Sequence, residues 1–532
     1  MAARGGADAR MGGILSARDL ASGAPLDLAI IGGGINGAAI ARAAAATGLR
    51  AALFEASDYG FGTTWRSTKL IHGGLRYLEH GDVGLVFESL RERAWLLQTR
   101  PYLVRPQRFL LPLLPWTRRP GWQLRIGLAA YDLLALYRAV PPHRPLSRER
   151  LRELAPYLPD ETRGGFSFFD ARVIAPERLT WELVREARQL GAATLNHTPV
   201  VAINAPDGTV EAVVVDHGGE HVTIPARAVV NAAGPWVDAV NRLGDLPPPE
   251  LLGVTRGSHI VVELDGPPGH DAVFSTAKSD GRVFFAVPQD DLLLIGTTDE
   301  RYDGDPSAVR PTPEDIDYLL TEGRTLLPGL DIRRERIRYA YAGLRPLQKV
   351  AGGPEAAISR RHAVIDHGKV GGAKGMFSVV GGKLSTFRPL AGDVIEAVTG
   401  RKPQGWLAAP PAGWRERLLG LGLDHPARRH LRRYGGDAAA VIELGREVLC
   451  PHAPGFEGEV RFAARHEQAL TVGDVLLRRT GIGWARCRGL CCHERVAAIL
   501  AEELGWSAAE RDRAAAAYAA EVAYHLPVEG TA

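Results

Sequence analysis

The run from Asp27 to Arg42, closed by Leu53-Phe54-Glu55, constrains this chain more than any other feature. It predicts a short buried strand over Leu28 to Ile31, a tight glycine turn, a helix from about Ile35, and a second strand ending at an acidic residue. Gly32, Gly34 and Gly37 stand at the spacing of a dinucleotide-binding turn. Gly32 permits the tight turn, Gly34 lets a pyrophosphate approach the backbone, and Gly37 lets the helix lie close to the strand. The first residues of that helix, Ile35 and Asn36, bring free N–H groups and the positive end of the helix dipole to the phosphates. Gly48 stops the helix. Glu55, followed by Ala56, lies about twenty residues past the turn, where a carboxylate accepts both ribose hydroxyls. Taken alone, the glycine triplet is a weak signal; set between two strands and a helix, it predicts nucleotide binding.

The 532 residues, 45% of them hydrophobic, can bury a large core and imply two or three domains. With 64 basic against 61 acidic residues, bulk charge does not point to a nucleic-acid partner. Four cysteines in so long a chain are no disulfide framework and fit a reducing compartment. The segment Cys487-Arg-Gly-Leu-Cys-Cys-His493 has a faint metal-site look. Its spacing matches no standard zinc pattern, the segment reads as helix, and buried structural thiols are expected, so no metal is assigned. Residues 1–25, rich in Ala, Gly and Arg, are expected to be a tail and carry no secretion signal. No apolar stretch approaches the roughly twenty residues needed to cross a bilayer.

The nucleotide domain does not close by residue 60. Val229-Val-Asn-Ala-Ala-Gly-Pro-Trp236 is another apolar strand ending in small residues, and Met376 to Thr386 is a further one, running through Gly381-Gly382 toward a helix. One domain is therefore assembled from separated segments. The insertions hold alternating strands, His259 to Glu263, Arg282 to Val287 and Leu292 to Ile295, which predict an antiparallel sheet. After Pro410-Pro411, residues from about 412 to 525 are Ala, Leu, Arg and Glu at helical spacing.

The run Ser67-Thr-Lys-Leu-Ile-His-Gly-Gly-Leu-Arg-Tyr-Leu-Glu79 resembles the signature of FAD-dependent glycerol-3-phosphate dehydrogenases. So do Gly257 to Val261, Gly296-Thr-Thr-Asp299, Gly343-Leu-Arg-Pro346, Gly381 to Thr386 and, near the C-terminus, Asp474 to Thr480. The likeness runs from about residue 20 to 520. It implies an α/β fold: an FAD-binding Rossmann-like domain of the glutathione-reductase type, an inserted antiparallel-sheet substrate domain, and a C-terminal all-α domain. The expected divisions are an FAD domain over 26–100, 165–235 and 340–400, a substrate domain over 101–164 and 236–339, and helices over 405–525. The resemblance further implies oxidation of sn-glycerol 3-phosphate to dihydroxyacetone phosphate, with electrons passed to a membrane quinone. Beyond the opening turn and Glu55-Ala56, it implies FAD contacts at Ser67, Thr68, Lys69, Leu70, His72, Gly73, Val201, Ala233, Gly234, Trp236, Gly382, Lys383, Leu384 and Thr386. The chain departs from the family at Tyr59 to Arg66, which is bulkier than usual, and at Ile358-Ser-Arg-Arg-His362, leaving open whether Arg360 or Arg361 faces the substrate.

Flavin oxidation of a secondary alcohol needs the carbinol hydride aimed at N5, a group to take the hydroxyl proton, and a grip on the phosphate. Arginine binds a phosphate dianion with two donors at once, and Arg76, Arg345 and Arg360 sit in family motifs, with Tyr77 as a further donor. His72 or His259 could accept the proton, with His259 favoured as substrate contact and His72 as flavin-proximal; Arg345 could instead stabilise a developing alkoxide. Lys383, read as lying at a helix N-terminus, would support negative charge on the reduced flavin.

The segment Arg108 to Trp122 mixes apolar residues, Trp and Arg, and Gln123 to Arg138 reads as an amphipathic helix, a composition suited to peripheral attachment at the inner face of the cell membrane. A homodimer is expected on general grounds. An amine oxidase of the sarcosine type shares the opening motif but needs a carboxylate site, and an FAD-bearing tRNA-modifying protein needs a basic RNA surface. The phosphate-suited arginines and the near-neutral charge disfavour both.

Overall fold

The computed structural model describes residues 15–526 apart from 76–77, 79–80, 137–138, 267, 290, 350–360, 404 and 407–408. The chain divides into two compact units. The first comprises residues 1–65, 175–254 and 345–522, and the second residues 66–174, 255–344 and 523–532.

The first unit is built on a sheet whose strand order is Ala363–Asp366, Met376–Val380, Val229–Asn231, Leu28–Ile31, Ala51–Phe54 and Ala193–Leu195. All neighbours are parallel except the first pair. Leu28–Ile31 is buried at every position, as a parallel strand covered on both faces must be. The helix Ile35–Ala46 packs against the helices Pro176–Gln189 and Phe387–Thr399. Its Ala and Gly positions explain how it fits there, because small side chains let three helices approach closely; Ala38, Ala39, Ala41, Ala43 and Ala44 are fully buried. An antiparallel sheet of Val200–Asn204, Ala212–His217 and Glu220–Pro225 lies in the same unit.

The C-terminal residues of this unit are mainly helical, including Glu457–His466 and His493–Leu504, around a core of Val460, Val475, Leu476, Ile482, Val496 and Leu500. They also hold one small hairpin, Val448–Cys450 with Ala453–Phe456. Asp474–Arg479 is a π-helical turn.

The second unit is a mixed sheet ordered Glu300–Arg301, Leu252–Glu263, Leu292–Gly296, Val283–Gln289, Ala272–Thr276, Val104–Pro112, Gly165–Val173 and Leu70–Ile71. Its central hairpins are antiparallel, as the alternation of their residues predicts. Ile260, Val262, Leu293 and Ile295 pack with Ile316, Leu319 and Leu320 of the helix Pro313–Leu326, whose start is fixed by the Thr312–Asp315 capping box.

Two expectations are corrected here, and the expected domain divisions are set beside the two compact units. Part of the expected tail is ordered: Ala17–Ser22 is a helix capped by Ser16 and Asp19, with Ala17 and Leu20 buried, while residues 1–14 lie outside the described residues. Residues 66–100 and 165–174, expected in the nucleotide domain, belong to the second unit, because Leu70–Ile71 and Val104–Pro112 both pair with Gly165–Val173; residues 236–254 belong to the first. Finally, Cys487 to Cys492 form turns, and the helix begins only at His493.

Candidate active site

Within the first unit, the three glycines of the opening turn do different work. Gly32 has φ +105°, and a Cβ there would lie 2.7 Å from the Ala232 carbonyl oxygen. At Gly37 a Cβ would come within 1.8 Å of the Gly32 carbonyl oxygen. Packing forbids any side chain at either. A Cβ on Gly34 would meet only Thr64 Oγ1, at 3.4 Å, an ordinary contact. The fold does not require glycine at this position, whereas a phosphate pressed against the backbone does. Thr64 Oγ1 accepts a hydrogen bond from the Ile35 N–H at 3.1 Å, so one donor of the helix N-terminus is already engaged. Asn36 faces the second glycine turn: a Cβ on Gly382 would stand 3.1 Å from Asn36 Nδ2.

Glu55 follows the second strand directly. Its Oε2 accepts from the Gly33 N–H at 2.5 Å and its Oε1 from the Ser57 N–H at 2.8 Å. Burial pushes its carboxyl above the ordinary value, and those two N–H groups work in the opposite direction. Each carboxylate oxygen can accept a second bond, so hydroxyls of a ribose can still be held. Val201 is the residue the ladder skips between Val200 and Ala202, a bulge that turns its backbone out of strand pairing. Ala233 donates its N–H to Asn231 Oδ1, and Gly234 to Trp236 form a short 3-10 turn.

The second unit carries a separate polar cluster. His259 is 2% exposed, and its Nε2 lies 2.9 Å from Thr68 Oγ1. Its ring stacks on Tyr341 at 5.1 Å, and Tyr341 donates its hydroxyl to the Ser67 carbonyl oxygen. Space for the imidazole comes from Gly296, its cross-strand partner, where a Cβ would lie 2.3 Å from His259 Cδ2. Arg345, half-buried on the strand Ile337–Gln348, falls in the first unit and not with this cluster.

His72 is half-buried in the loop after Leu70–Ile71, near Phe285. The next residue anchors that loop. Gly73 donates its N–H to the Tyr131 hydroxyl at 2.8 Å, Tyr131 donates to Asp170 at 2.8 Å, and Arg93 pairs with Asp170 at 2.5 Å. Burial, then the Asp170 charge, pushes Tyr131 well above its ordinary value, so it stays a donor. Lys69 is held at φ +58°, its carbonyl accepting from the Val173 N–H.

Sequence reasoning missed a buried ion network in the first unit. Asp58, fully buried, accepts from Arg479 Nη1 at 2.7 Å and Nη2 at 2.8 Å, from Arg478 Nε at 3.0 Å, and from Asn196 Nδ2 at 3.1 Å. Tyr59 reaches Gln468, and Trp65 packs on Trp484 at 5.3 Å. The C-terminal residues thus clamp the loop that follows Glu55. No signal in the sequence links an aspartate to arginines some four hundred residues away.

A profile of the FAD dependent oxidoreductase family matches residues 27–387, and the C-terminal domain of alpha-glycerophosphate oxidase matches 395–511. A Synechocystis protein named glycerol-3-phosphate dehydrogenase is 34% identical over 92% of this chain and 94% of its own. The similarly named Mycobacterium leprae protein is 35% identical over 93% and 88%. The chain belongs to the FAD-dependent glycerol-3-phosphate dehydrogenase family. A crystal structure of the Bacillus halodurans glycerol-3-phosphate dehydrogenase complexed with FAD superposes with a TM-score of 0.78 at 28% identity, covering 98% of this chain and all of that one.

As a member of this family the protein is an enzyme with FAD as its cofactor, and the open face at Gly34 together with the Glu55 carboxylate fits the dinucleotide. Arg76, Tyr77 and Arg360 lie outside the described residues; Arg361 precedes the strand Ala363–Asp366. Lys383 is not at a helix N-terminus. The helix Phe387–Thr399 starts later, after a turn at Leu384-Ser385, because Pro389 is tolerated only in a first turn. Thr386 is the N-cap residue but makes no side-chain cap bond.

Proposed function

We propose that this enzyme oxidises sn-glycerol 3-phosphate to dihydroxyacetone phosphate and passes the electrons to a membrane quinone. The observation that carries the substrate assignment is the full-length likeness to relatives named glycerol-3-phosphate dehydrogenase. Gly32, Gly34, Ile35, Asn36, Gly37, Glu55, Val201, Ala233, Gly382 and Lys383 would hold the dinucleotide. When bound, FAD supplies the acceptor for the hydride leaving the carbinol carbon. His259 takes the hydroxyl proton: Thr68 fixes its Nε2, Tyr341 fixes its ring plane, and neutral imidazole is suited to proton transfer near pH 7. His72, on a half-buried loop, serves the flavin side instead. Arg345 binds the anionic substrate and stabilises negative charge as it develops.

The helix Gly121–Leu134 supports attachment to a membrane surface at the inner face of the cell. It buries Leu128 and Tyr131, yet Trp122 is 63%, Ile126 62% and Leu133 62% exposed, with Arg118, Arg119 and Arg125 beside them. Apolar residues on the outward face above a basic border suit the headgroup region. Among the described residues no helix is long and apolar enough to cross a membrane.

The deciding experiment is an anaerobic visible spectrum before and after adding sn-glycerol 3-phosphate. Flavin that bleaches with this substrate, and not with glycerol or sarcosine, supports the reading; flavin that stays oxidised overturns the substrate. Liposome sedimentation of the wild type and of Trp122→Glu/Ile126→Glu tests the surface, and equal recovery in the supernatant counts against it.

A further inference from the structure

All four cysteines of the chain gather at one place in the C-terminal part of the first unit. Cys450 ends the strand Val448–Cys450 at the tip of the small hairpin. Cys487, Cys491 and Cys492 lie in the turns before the helix His493–Leu504, with Cys492 as its N-cap residue. Sγ of Cys450 is 3.5 Å from that of Cys487 and 3.3 Å from that of Cys491, and the last two are 3.4 Å apart. The sulfur of Cys492 and those of Cys450 and Cys491 all lie within 4.8 Å of one another, a set that does not include Cys487. None of the four is in a disulfide.

Packing alone does not account for this. A buried thiol behaves as a small hydrophobe and gains nothing from three others, and Cys491 is exposed. Hairpin tip and helix entrance come from distant parts of the sequence, yet each delivers its thiols to the same point. Tetrahedral zinc–thiolate bonds of about 2.3 Å place the sulfurs about 3.8 Å apart along each edge. The Cys450–Cys487–Cys491 face is slightly inside that spacing, so an ion is admitted by a small outward shift of side chains. We propose that Cys450, Cys487, Cys491 and Cys492 bind a structural zinc ion, which ties the hairpin to the helix.

The surroundings suit a site of four thiolates. The His452 N–H donates to Cys450 Sγ at 3.4 Å, and Arg486 Nε donates to His452 Nδ1 at 3.2 Å, fixing the hairpin tip. The N-terminus of the ten-residue-plus helix His493–Leu504 directs its positive end toward the excess negative charge. Cys492 Sγ now lies 3.4 Å from the Gly489 carbonyl oxygen and turns from it to reach the fourth vertex. Loading is a ligand exchange with no change of oxidation state: four S–H bonds break and four protons leave to solvent, the bonds from zinc to its water ligands break and that water is released, and four Zn–S bonds form. A second group of metal-capable residues, Asp58, His197 and Asp474, carries no such reading, because Arg478 and Arg479 already neutralise it.

The test uses the full-length flavoprotein, purified without a metal-affinity step and loaded with zinc. The expected result is one tightly held zinc per chain by plasma mass spectrometry, and its loss in Cys450→Ser/Cys491→Ser with flavin retained. Cobalt in place of zinc should give the strong ligand-field bands of a tetrahedral thiolate site in the red, clear of flavin absorption. This spectrum decides the matter on wild-type protein even where the double variant does not fold. The proposal is overturned by thiols that react with Ellman's reagent equally with and without zinc, by a disulfide among the four, by metal that persists in the double variant, or by iron with acid-labile sulfide in place of zinc.

Discussion

Replacing Asp58 by Asn keeps the shape of the side chain and removes its charge. Arg479, fully buried, holds both oxygens of that carboxylate, and its remaining ionic partner, Glu467, is 3.8 Å away. Arg478 keeps Asp474 and Glu521, each at 2.9 Å, so the damage concentrates on Arg479. Leaving a buried charge without its partner costs about 3–5 kcal/mol. Set against a total stability of about 5–15 kcal/mol, that is a large share. At about 2–4 °C per kcal/mol for a domain of 150–250 residues, the shift is about 6–20 °C. A control comes from Glu153→Gln: the Arg150–Glu153 pair is 58% and 63% exposed on one helix, and its loss should cost about 0.2–0.5 kcal/mol. Flavin fluorescence rises as the cofactor is released, so a thermal ramp followed by fluorescence and by circular dichroism reads both the loop and the fold. If Asp58→Asn melts within about 2 °C of the wild type, like the control, the clamp is not a determinant of stability and this account of the C-terminal residues fails.

Gly34→Val should fold, since its Cβ meets only Thr64, but emerge colourless; a yellow protein with normal circular dichroism would remove Gly34 from the nucleotide site. Arg345→Ala should keep its flavin spectrum while kcat/KM falls by about 30- to 5,000-fold, the equivalent of about 2–5 kcal/mol, and near-normal kinetics would take Arg345 out of the site. His197 is held 2.9 Å from Asp474; burial pulls its value down, but Asp474, with Asp58 beyond, outweighs burial and the opposing Arg478, so the net shift is upward from 6.5. Its contribution is fully present below pH 6.5 and is lost as pH rises through the raised value, whereas the depressed Asp474 withdraws support only in strong acid. Melting temperature measured across neutral and mildly alkaline pH should therefore decline in the wild type and decline less in His197→Gln; parallel curves would refute the coupling.

The nucleotide half of the fold was legible because its determinants are local. The strand Leu28–Ile31 and the helix beginning at Ile35 follow from glycine chemistry and apolar runs within twenty residues, and both stand where the sequence places them. The alternating strands around His259 and Leu292 were legible for the same reason. What escaped depends on distance in the chain or on a competing local rule. Asp58 with Arg479, and Cys450 with Cys487, become neighbours only in the folded molecule. Pro389 delays the helix that was expected to begin by Lys383, and Leu70–Ile71 goes to the sheet it pairs with, not to the domain it follows.

The strand order of the central parallel sheet bears on how this protein is made. Leu28–Ile31 pairs with Val229–Asn231, which pairs in turn with Met376–Val380. Leu28–Ile31 therefore waits for residues synthesised near position 380 before its sheet is complete. At about 5–20 residues per second, that wait is about 18–70 s. Throughout it, apolar strands of both interleaved units stand without their final neighbours, and such unpaired apolar strands are prone to aggregate. A mutation that slows closure of this sheet should lower the yield of enzyme in the cell more than it lowers the activity of the molecules that succeed in folding.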